Sequence, residues 1–189
     1  MRDSERAMII EHIMDATMPN NLATALDTAD VIYDGKKQVV VAGAEALVAH
    51  VTTSDPTADL RCVEDSLRKD PMRSGVRLEF RYEHWPLGHT VGIFADGGNA
   101  SKVFIGVTGR GPLEERLQRL LNEYHAGGSG TEHWPWWYWL APPFNQLTSK
   151  EAVLRLHSGE AAKELAAQIR DVVAIVDTFY GEARSTGAH

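Results

Sequence analysis

Apolar and polar residues alternate most regularly between residues 76 and 83. The apolar or aromatic positions are Val76, Leu78, Phe80 and Tyr82, and each is followed by a charged residue. A period of two places all four of these side chains on the same face of a β-strand. The pattern predicts a strand with one buried face and one polar face.

Two further strands are predicted at residues 90–96 and 102–108, on either side of the glycine-rich segment 97–101. Strands joined by so short a connection pair antiparallel, because parallel pairing needs a long crossover. The three strands therefore predict an antiparallel meander. The aromatic run at residues 133–139 is expected to follow as a strand or extended segment at the edge of this sheet.

Helices are predicted after the meander. An apolar stripe at helical spacing covers residues 113–124 and stops before the glycine-rich segment 127–130. Residues 148–151 form a capping-box pattern that predicts the start of a short helix. Ser158 is predicted to cap a last long helix, whose core positions lie within residues 165–180.

The first part of the chain is predicted to be a helical lobe that contains a small hairpin. Helical patterns cover residues 4–16, 22–29, 43–51 and 55–69. In residues 31–41, two β-branched runs flank an Asp-Gly pair, which is typical of a hairpin turn.

Together these elements predict an α+β fold. An antiparallel three- to four-stranded meander packed by helices occupies residues 76–189, and the N-terminal helical lobe with its hairpin occupies residues 1–75. The two parts are expected either as two domains or as one compact unit.

Charge and composition narrow the function classes. With 19 basic and 26 acidic residues the formal net charge is −7, and the basic residues are dispersed. Nucleic-acid binding usually needs a basic face, so a nucleic-acid partner is not indicated. Residues 1–19 carry charges throughout, unlike a signal peptide, and no apolar stretch approaches the roughly 20 residues of a membrane helix. We expect a cytoplasmic protein without membrane insertion.

Cys62 is the single cysteine, which excludes an intramolecular disulfide framework. It lies within a stretch that is predicted to be helical. A buried or half-buried helix residue is expected here rather than a nucleophile. No cofactor is predicted.

One candidate metal site surrounds the turn at residues 85–88. Glu83, His84 and His89 bracket this turn, so that a carboxylate and two imidazoles could converge on a divalent cation. The alternative is that the two histidines are solvated or packed against aromatic rings.

A second candidate is the arrangement of metal-dependent nucleases, in which an Asp precedes a strand-borne Glu-x-Lys. The matching residues would be Asp65, Glu79 and Arg81, with arginine at the lysine position. Arginine does not readily lose its proton, so a ladder of cross-strand ion pairs is the simpler interpretation. Arg110, just before a predicted helix, is a candidate anion contact, although the motif is not a P-loop.

The aromatic run is the most distinctive feature of the sequence. It holds four of the five tryptophans within six residues. On a strand, one set of rings would face the core and the other would be free to bind a partner. Whether the run only packs or also binds is left open by the sequence. The candidate partner-binding residues are Trp134, Trp136, Trp137, Tyr138 and Trp139.

Part of the chain resembles a known superfamily. The strand at residues 102–107, the amphipathic helix after Pro112, the aromatic run and the closing helix are similar to the C-terminal, non-catalytic portion of certain uncharacterised bacterial and phage proteins of the PD-(D/E)XK nuclease superfamily. The resemblance implies a stand-alone relative of that portion from a phage or mobile element. It carries over no catalytic residues, because the lysine of the motif is not found here.

These observations predict a non-enzymatic interaction or modulator protein, such as a phage-encoded inhibitor of a host defence complex, with a protein partner bound at the aromatic run. The alternative is a divergent metal-dependent nuclease or phosphodiesterase that uses Glu79, Glu83, His84 and His89. A third option is a homo-oligomer in which the exposed aromatic residues form a self-interface.

Overall fold

A computed structural model describes residues 3–15, 17–53, 59–109, 113–126, 130–131 and 134–185. The elements found in these residues are α1 (Asp3–Ile13), α2 (Pro19–Thr52), β1 (Leu60–Glu64), α3 (Ser66–Lys69), β2 (Val76–Tyr82), β3 (Thr90–Gly97), β4 (Ser101–Thr108), α4 (Glu115–Tyr124), β5 (Trp136–Trp139), α5 (Lys150–His157) and α6 (Glu160–Ser185). None of the described helices is both long and apolar enough to cross a bilayer.

The five strands form one antiparallel sheet in the order β1-β2-β3-β4-β5. The α+β class and the meander are confirmed, and the three strands predicted for the meander are found at β2, β3 and β4. The sheet has one strand more than the three to four expected, because β1 pairs with β2.

The inner face of the sheet carries the hydrophobic core. Every second residue of the central strands points to this face, as the buried Leu78, Ile93 and Ile105 show. Helix α6 packs on this face with an apolar stripe, and α4 adds further leucines to the same cluster. The closing helices are therefore where the sequence pattern placed them.

The predicted hairpin at residues 31–41 is wrong, because all of these residues lie within helix α2. The buried positions in the second half of this helix, Val40, Ala44, Leu47 and Val51, recur at helical spacing. Burial of this stripe favours the helix from Val40 onward over the β-propensity of the valines, whereas residues 31–35 are exposed.

The predicted helix at residues 55–69 is also corrected. Residues 60–64 form strand β1, and only Ser66–Lys69 are helical. Leu60 is buried, Arg61 is exposed and Cys62 is half-buried, which is the alternation of a strand at a sheet edge. Cys62 is thus a strand residue, and burial raises the pKa of its thiol. The capping residues predicted for that helix, 54–56, lie outside the described residues.

The chain divides into two compact units, Met1–Gln38 and Val39–His189. The sequence predicted the boundary after residue 75 instead. The difference arises because the second half of α2 and strand β1 belong to the same core as the sheet.

The first unit consists of α1 and the first half of α2. Side chains of its described residues are exposed or half-buried, and ten large apolar ones are at least 40% exposed. They are Met8, Ile9, Ile10, Met14, Met18, Leu22, Leu26, Val31, Ile32 and Tyr33. Within the unit, the Asn21 amide lies 3.2 Å from His12 Nε2 and links the two helices.

Two details of capping differ from the prediction. Ser149 caps α5 and accepts a hydrogen bond from the backbone N–H of Ala152 at 3.2 Å. Thr148 instead donates to the backbone oxygen of Asn99. Ser158 ends α5, and α6 begins after Gly159, whose φ of +80° is accessible to glycine at little cost.

Candidate aromatic binding site

The outer face of the sheet changes from charged to aromatic along its width. The strand register aligns Arg77, Phe94, Phe104 and Trp139 in one row across β2 to β5. Side chains in one such row contact their cross-strand neighbours. Phe94 and Phe104 stack with ring centroids 5.1 Å apart, and Trp139 meets Phe104 at 5.3 Å.

The neighbouring row leaves room for a large side chain. It contains Glu79, Gly92, Gly106 and Trp137. A Cβ on Gly106 would lie 2.9 Å from the Cβ of Trp137. Glycine at this position therefore lets Trp137 lie across β4, where its ring reaches Phe104 at 5.7 Å.

Two hydrogen bonds with Thr131 position Trp134, which lies outside the strands, at the same place. The N–H of Thr131 donates to the Trp134 carbonyl at 2.7 Å, and the N–H of Trp134 donates to Thr131 Oγ1 at 3.1 Å. This pair of hydrogen bonds fixes the backbone just before β5. The Trp134 ring contacts Phe94 at 4.3 Å and Phe104 at 5.2 Å.

These five rings line a cavity of about 340 Å³, which we call the aromatic cavity. Phe94 and Phe104 form its floor, with only 3% and 7% of their surface exposed. The walls are Trp134 and Trp137, which are half-buried, and Trp139, which is 49% exposed. The volume lies at the lower end of the roughly 300–1,000 Å³ range of ligand pockets. The cavity suits a side chain or a small headgroup.

The rings around the aromatic cavity are steeply inclined to one another. Trp134 and Trp139 lie at 89° and 83° to Phe104, and Trp137 lies at 73° to Trp139. Edge-to-face contacts of this kind are favourable for aromatic pairs. The cavity is therefore bounded by aromatic planes in several orientations.

Two charged side chains, Arg77 and Asp96, also line the aromatic cavity. Arg77 Nε lies 2.9 Å from Glu79 Oε1, so its charge is compensated. Glu79 also accepts a hydrogen bond from Thr90 at 2.7 Å. Asp96 is exposed and has no hydrogen bond or ion pair to any residue that the structure describes. Among those residues, the lining thus carries one uncompensated negative charge.

The predicted partner-binding residues divide between the two faces of β5. Trp134, Trp137 and Trp139 line the aromatic cavity. Trp136 and Tyr138 face the core with 0% and 5% exposure. Tyr138 donates a hydrogen bond to Gln168 at 3.0 Å, and burial raises the pKa of its hydroxyl. These two residues have a packing role, whereas the other three remain accessible.

The three candidate metal ligands lie near different partners. Glu83 is exposed, and its Oε2 lies 4.0 Å from the Arg61 guanidinium. His84 Nε2 lies 2.9 Å from Asp177 Oδ1, and His89 Nδ1 bonds to the Tyr180 hydroxyl. Burial lowers the pKa of His89. In the described part of the chain, no group of three or more His, Cys, Asp or Glu side chains is arranged to hold a metal ion.

The residues matched to the nuclease motif are likewise engaged by other groups. Asp65 pairs with Lys69 at 2.7 Å and with Arg68, which lowers the pKa of its carboxyl. The Arg81 guanidinium donates to the backbone oxygen of Trp85 at 3.0 Å. Glu79 pairs with Arg77 of its own strand, so this pair is not part of the expected cross-strand ladder. Arg110 lies outside the described residues.

Sequence reasoning missed the floor of the aromatic cavity. Phe94 and Phe104 lie in strands that were predicted, but neither was identified as a site residue. If β3 and β4 are paired about their short connection, Phe94 falls opposite Phe104. That register could have identified the two phenylalanines as site residues, because it places their rings side by side on the outer face of the sheet.

Comparison with protein-family models, curated proteins and solved structures gave no match to this chain. The relation to the nuclease superfamily stays a prediction. Function is accordingly inferred from the geometry of the site.

Proposed function

We propose that this is a non-enzymatic interaction protein that binds a partner protein at the aromatic cavity. The observation that carries the proposal is the exposure of Trp139 and, in part, of Trp134 and Trp137 around a buried aromatic floor. Tryptophans beside a concave apolar surface are typical of the residues that dominate binding energy at protein interfaces.

The exposed surface of Trp139 would contribute binding energy when a partner covers it. A tryptophan buries about 150–250 Å² when fully enclosed, and Trp139 keeps about half of its surface exposed. Covering that half removes roughly 100 Å² of largely apolar surface from water, worth about 2–3 kcal/mol. The indole of Trp139 can therefore act as a binding anchor.

The edge of the sheet supports an extended partner segment. The N–H of Leu140 donates to the carbonyl of Val103 at 2.9 Å, which sets the alternation of hydrogen-bonded pairs between β4 and β5. By this alternation the backbone groups of Trp137 and Trp139 point away from β4. In the described residues no strand pairs with β5 on that side. A segment added there would place alternate side chains over the aromatic cavity.

The test compares two variants in a pull-down from lysate followed by identification of the bound protein. We expect Trp139→Ala to lose at least tenfold of a partner that wild-type protein captures, in keeping with the loss of an interface anchor. Leu154→Ala is the matched control, because Leu154 is 60% exposed on α5 and does not line the aromatic cavity. Equal capture of every partner by Trp139→Ala and wild type would refute the proposal.

Folding of the variants is checked by thermal unfolding. Trp139→Ala should unfold close to wild type, whereas Trp136→Ala should lose about 3–5 kcal/mol, because Trp136 is fully buried. The contrast separates loss of binding from loss of fold.

The sequence resemblance suggests a host defence complex as the partner. This remains a prediction, and identification of the captured protein would test it.

A further inference from the structure

We infer that the aromatic cavity binds a methylated lysine side chain of the partner protein, so that a quaternary ammonium group sits among the five rings. The inference rests on the proposed function and names the chemistry of the group that is recognised. It is carried by the ring geometry, by the free carboxylate of Asp96 and by the scarcity of hydrogen-bonding groups in the lining.

The ring geometry favours a compact cation over a flat ring. Phe94 and Phe104 stack on each other at 5.1 Å and 23°, which leaves no gap between them for a third ring. The tryptophan walls are steeply inclined to this floor instead. A nucleobase would need a parallel aromatic face, whereas a nearly spherical ammonium group is attracted to aromatic faces in several orientations.

The charges of the site favour a cation over an anion. Arg77 is held 2.9 Å from Glu79, which leaves Asp96 as the uncompensated charge among the described lining residues. The chain as a whole has a net charge of −7. Both the local and the overall field therefore attract positive groups and repel phosphate or carboxylate groups.

The lining favours a methylated over an unmethylated ammonium. An –NH₃⁺ group brings three hydrogen-bond donors, and leaving them unpaired in an apolar site is costly. Five of the eleven residues that line the cavity are aromatic, and Asp96 is the free acceptor carboxylate among the described ones. A trimethylammonium group has no N–H to satisfy, so it keeps the attraction to the rings without this cost.

The first experiment titrates the wild-type protein with choline and with its uncharged isostere dimethylbutanol, in which carbon replaces the nitrogen. Tryptophan fluorescence reports binding, because Trp134, Trp137 and Trp139 all line the cavity. We expect choline to bind about tenfold more tightly than the isostere, which is the size of a desolvated cation–π contribution. Equal affinities, or no binding of choline, would overturn the inference.

The second experiment places the cation on a peptide. Short glycine-flanked peptides with trimethyllysine, lysine or norleucine at one position are compared by isothermal titration calorimetry, and trimethyllysine should bind about tenfold more tightly than either of the others. Binding of choline without preference for the trimethyllysine peptide would overturn the assignment to a protein side chain and indicate a small-molecule ligand.

Two variants test the residues. Trp139→Ala should weaken choline binding about tenfold, and Asp96→Asn should weaken it about fivefold, with a smaller effect at high salt. Glu123→Gln is the control for Asp96→Asn, because it removes one exposed carboxylate of α4 that does not line the cavity. An equal loss in Asp96→Asn and Glu123→Gln would contradict the role of Asp96.

The two proposals can fail separately. If no cation binds but capture of a partner still depends on Trp139, the proposed function stands and the methyl-lysine inference is refuted. If the cation binds with the stated preference but no partner depends on Trp139, the proposed function is refuted and only the recognition of a quaternary ammonium group stands.

Discussion

Replacement of Gly35 by alanine tests the helix that the sequence pattern did not predict. Gly35 lies in the middle of α2, and a Cβ added there would meet no atom within 4 Å other than its chain neighbours and the helix's own backbone. In the hairpin suggested by the Asp-Gly pair, the same glycine would need a positive φ that alanine adopts poorly. The two structures therefore predict opposite signs for one substitution.

The magnitude follows from the loss of backbone entropy. Alanine is more favourable than glycine in a helix interior by about 0.8–1 kcal/mol. For a chain of this size, a gain of 1 kcal/mol raises Tm by about 2–4 °C. We expect Gly35→Ala to increase the free energy of unfolding by about 1 kcal/mol, measured by urea unfolding followed by far-UV circular dichroism.

Two other glycines in helices serve as controls. Gly181 in α6 also has no atom within 4 Å of an added Cβ, so Gly181→Ala should stabilise by a similar amount. At Gly43, in the second half of α2, the added Cβ would lie 2.5 Å from Cδ2 of Leu156. We expect Gly43→Ala to be neutral or destabilising, because the cost of overpacking of about 1–3 kcal/mol offsets the helix gain.

The helix would be refuted if Gly35→Ala lowered the free energy of unfolding instead of raising it. If Gly35→Ala destabilised the protein by about 1 kcal/mol or more while Gly181→Ala stabilised it, Gly35 would have to occupy a turn with positive φ. A rise in helical ellipticity in Gly35→Ala would show instead that residue 35 lies in a helix and not in a turn.

Three further predictions concern stability. Ser149→Ala removes the side-chain acceptor that caps α5, so it should cost about 1 kcal/mol in urea unfolding, and an unchanged midpoint would contradict the cap. Glu79→Ala removes a buried carboxylate that holds an arginine and a threonine, and a loss of about 2 kcal/mol is expected, whereas a loss within error would show that the pair contributes nothing. Burial, followed by the nearby Arg81, lowers the pKa of His89, so unfolding takes up a proton below about pH 6.5. Stability should therefore fall as the pH decreases below that value, and His89→Gln should reduce this dependence in thermal unfolding, while an identical pH profile would refute the assignment.

Elements with a local pattern of apolar and polar residues could be located from the sequence. The alternation in β2, the strand-like runs of β3 and β4 on either side of a glycine-rich segment, and the apolar stripes of α4 and α6 are all patterns of neighbouring residues, which is why they were sufficient to locate these elements. The short connections between the strands also determined the antiparallel meander. The aromatic run was predicted as a strand or extended segment at the edge of the sheet, and its residues Trp136–Trp139 form the edge strand β5.

Elements whose local preferences disagree with their surroundings could be assigned only from long-range packing and strand pairing. Residues 31–41 have the composition of a hairpin, yet they lie within α2, whose buried stripe begins at Val40 and continues with Ala44 and Leu47. Residues 60–64 form a strand because β2 offers an open edge with which they pair. The helix and strand propensities of different residues differ by only about 1 kcal/mol, so packing and strand pairing outweigh them.

The candidate site shows the same division. The tryptophans are concentrated in the sequence, but which of them face outward depends on the register between β4 and β5. The floor formed by Phe94 and Phe104 and the position of Trp134 come from contacts between residues distant along the chain. A cavity is a property of such contacts, and it therefore appears only when the sheet has formed.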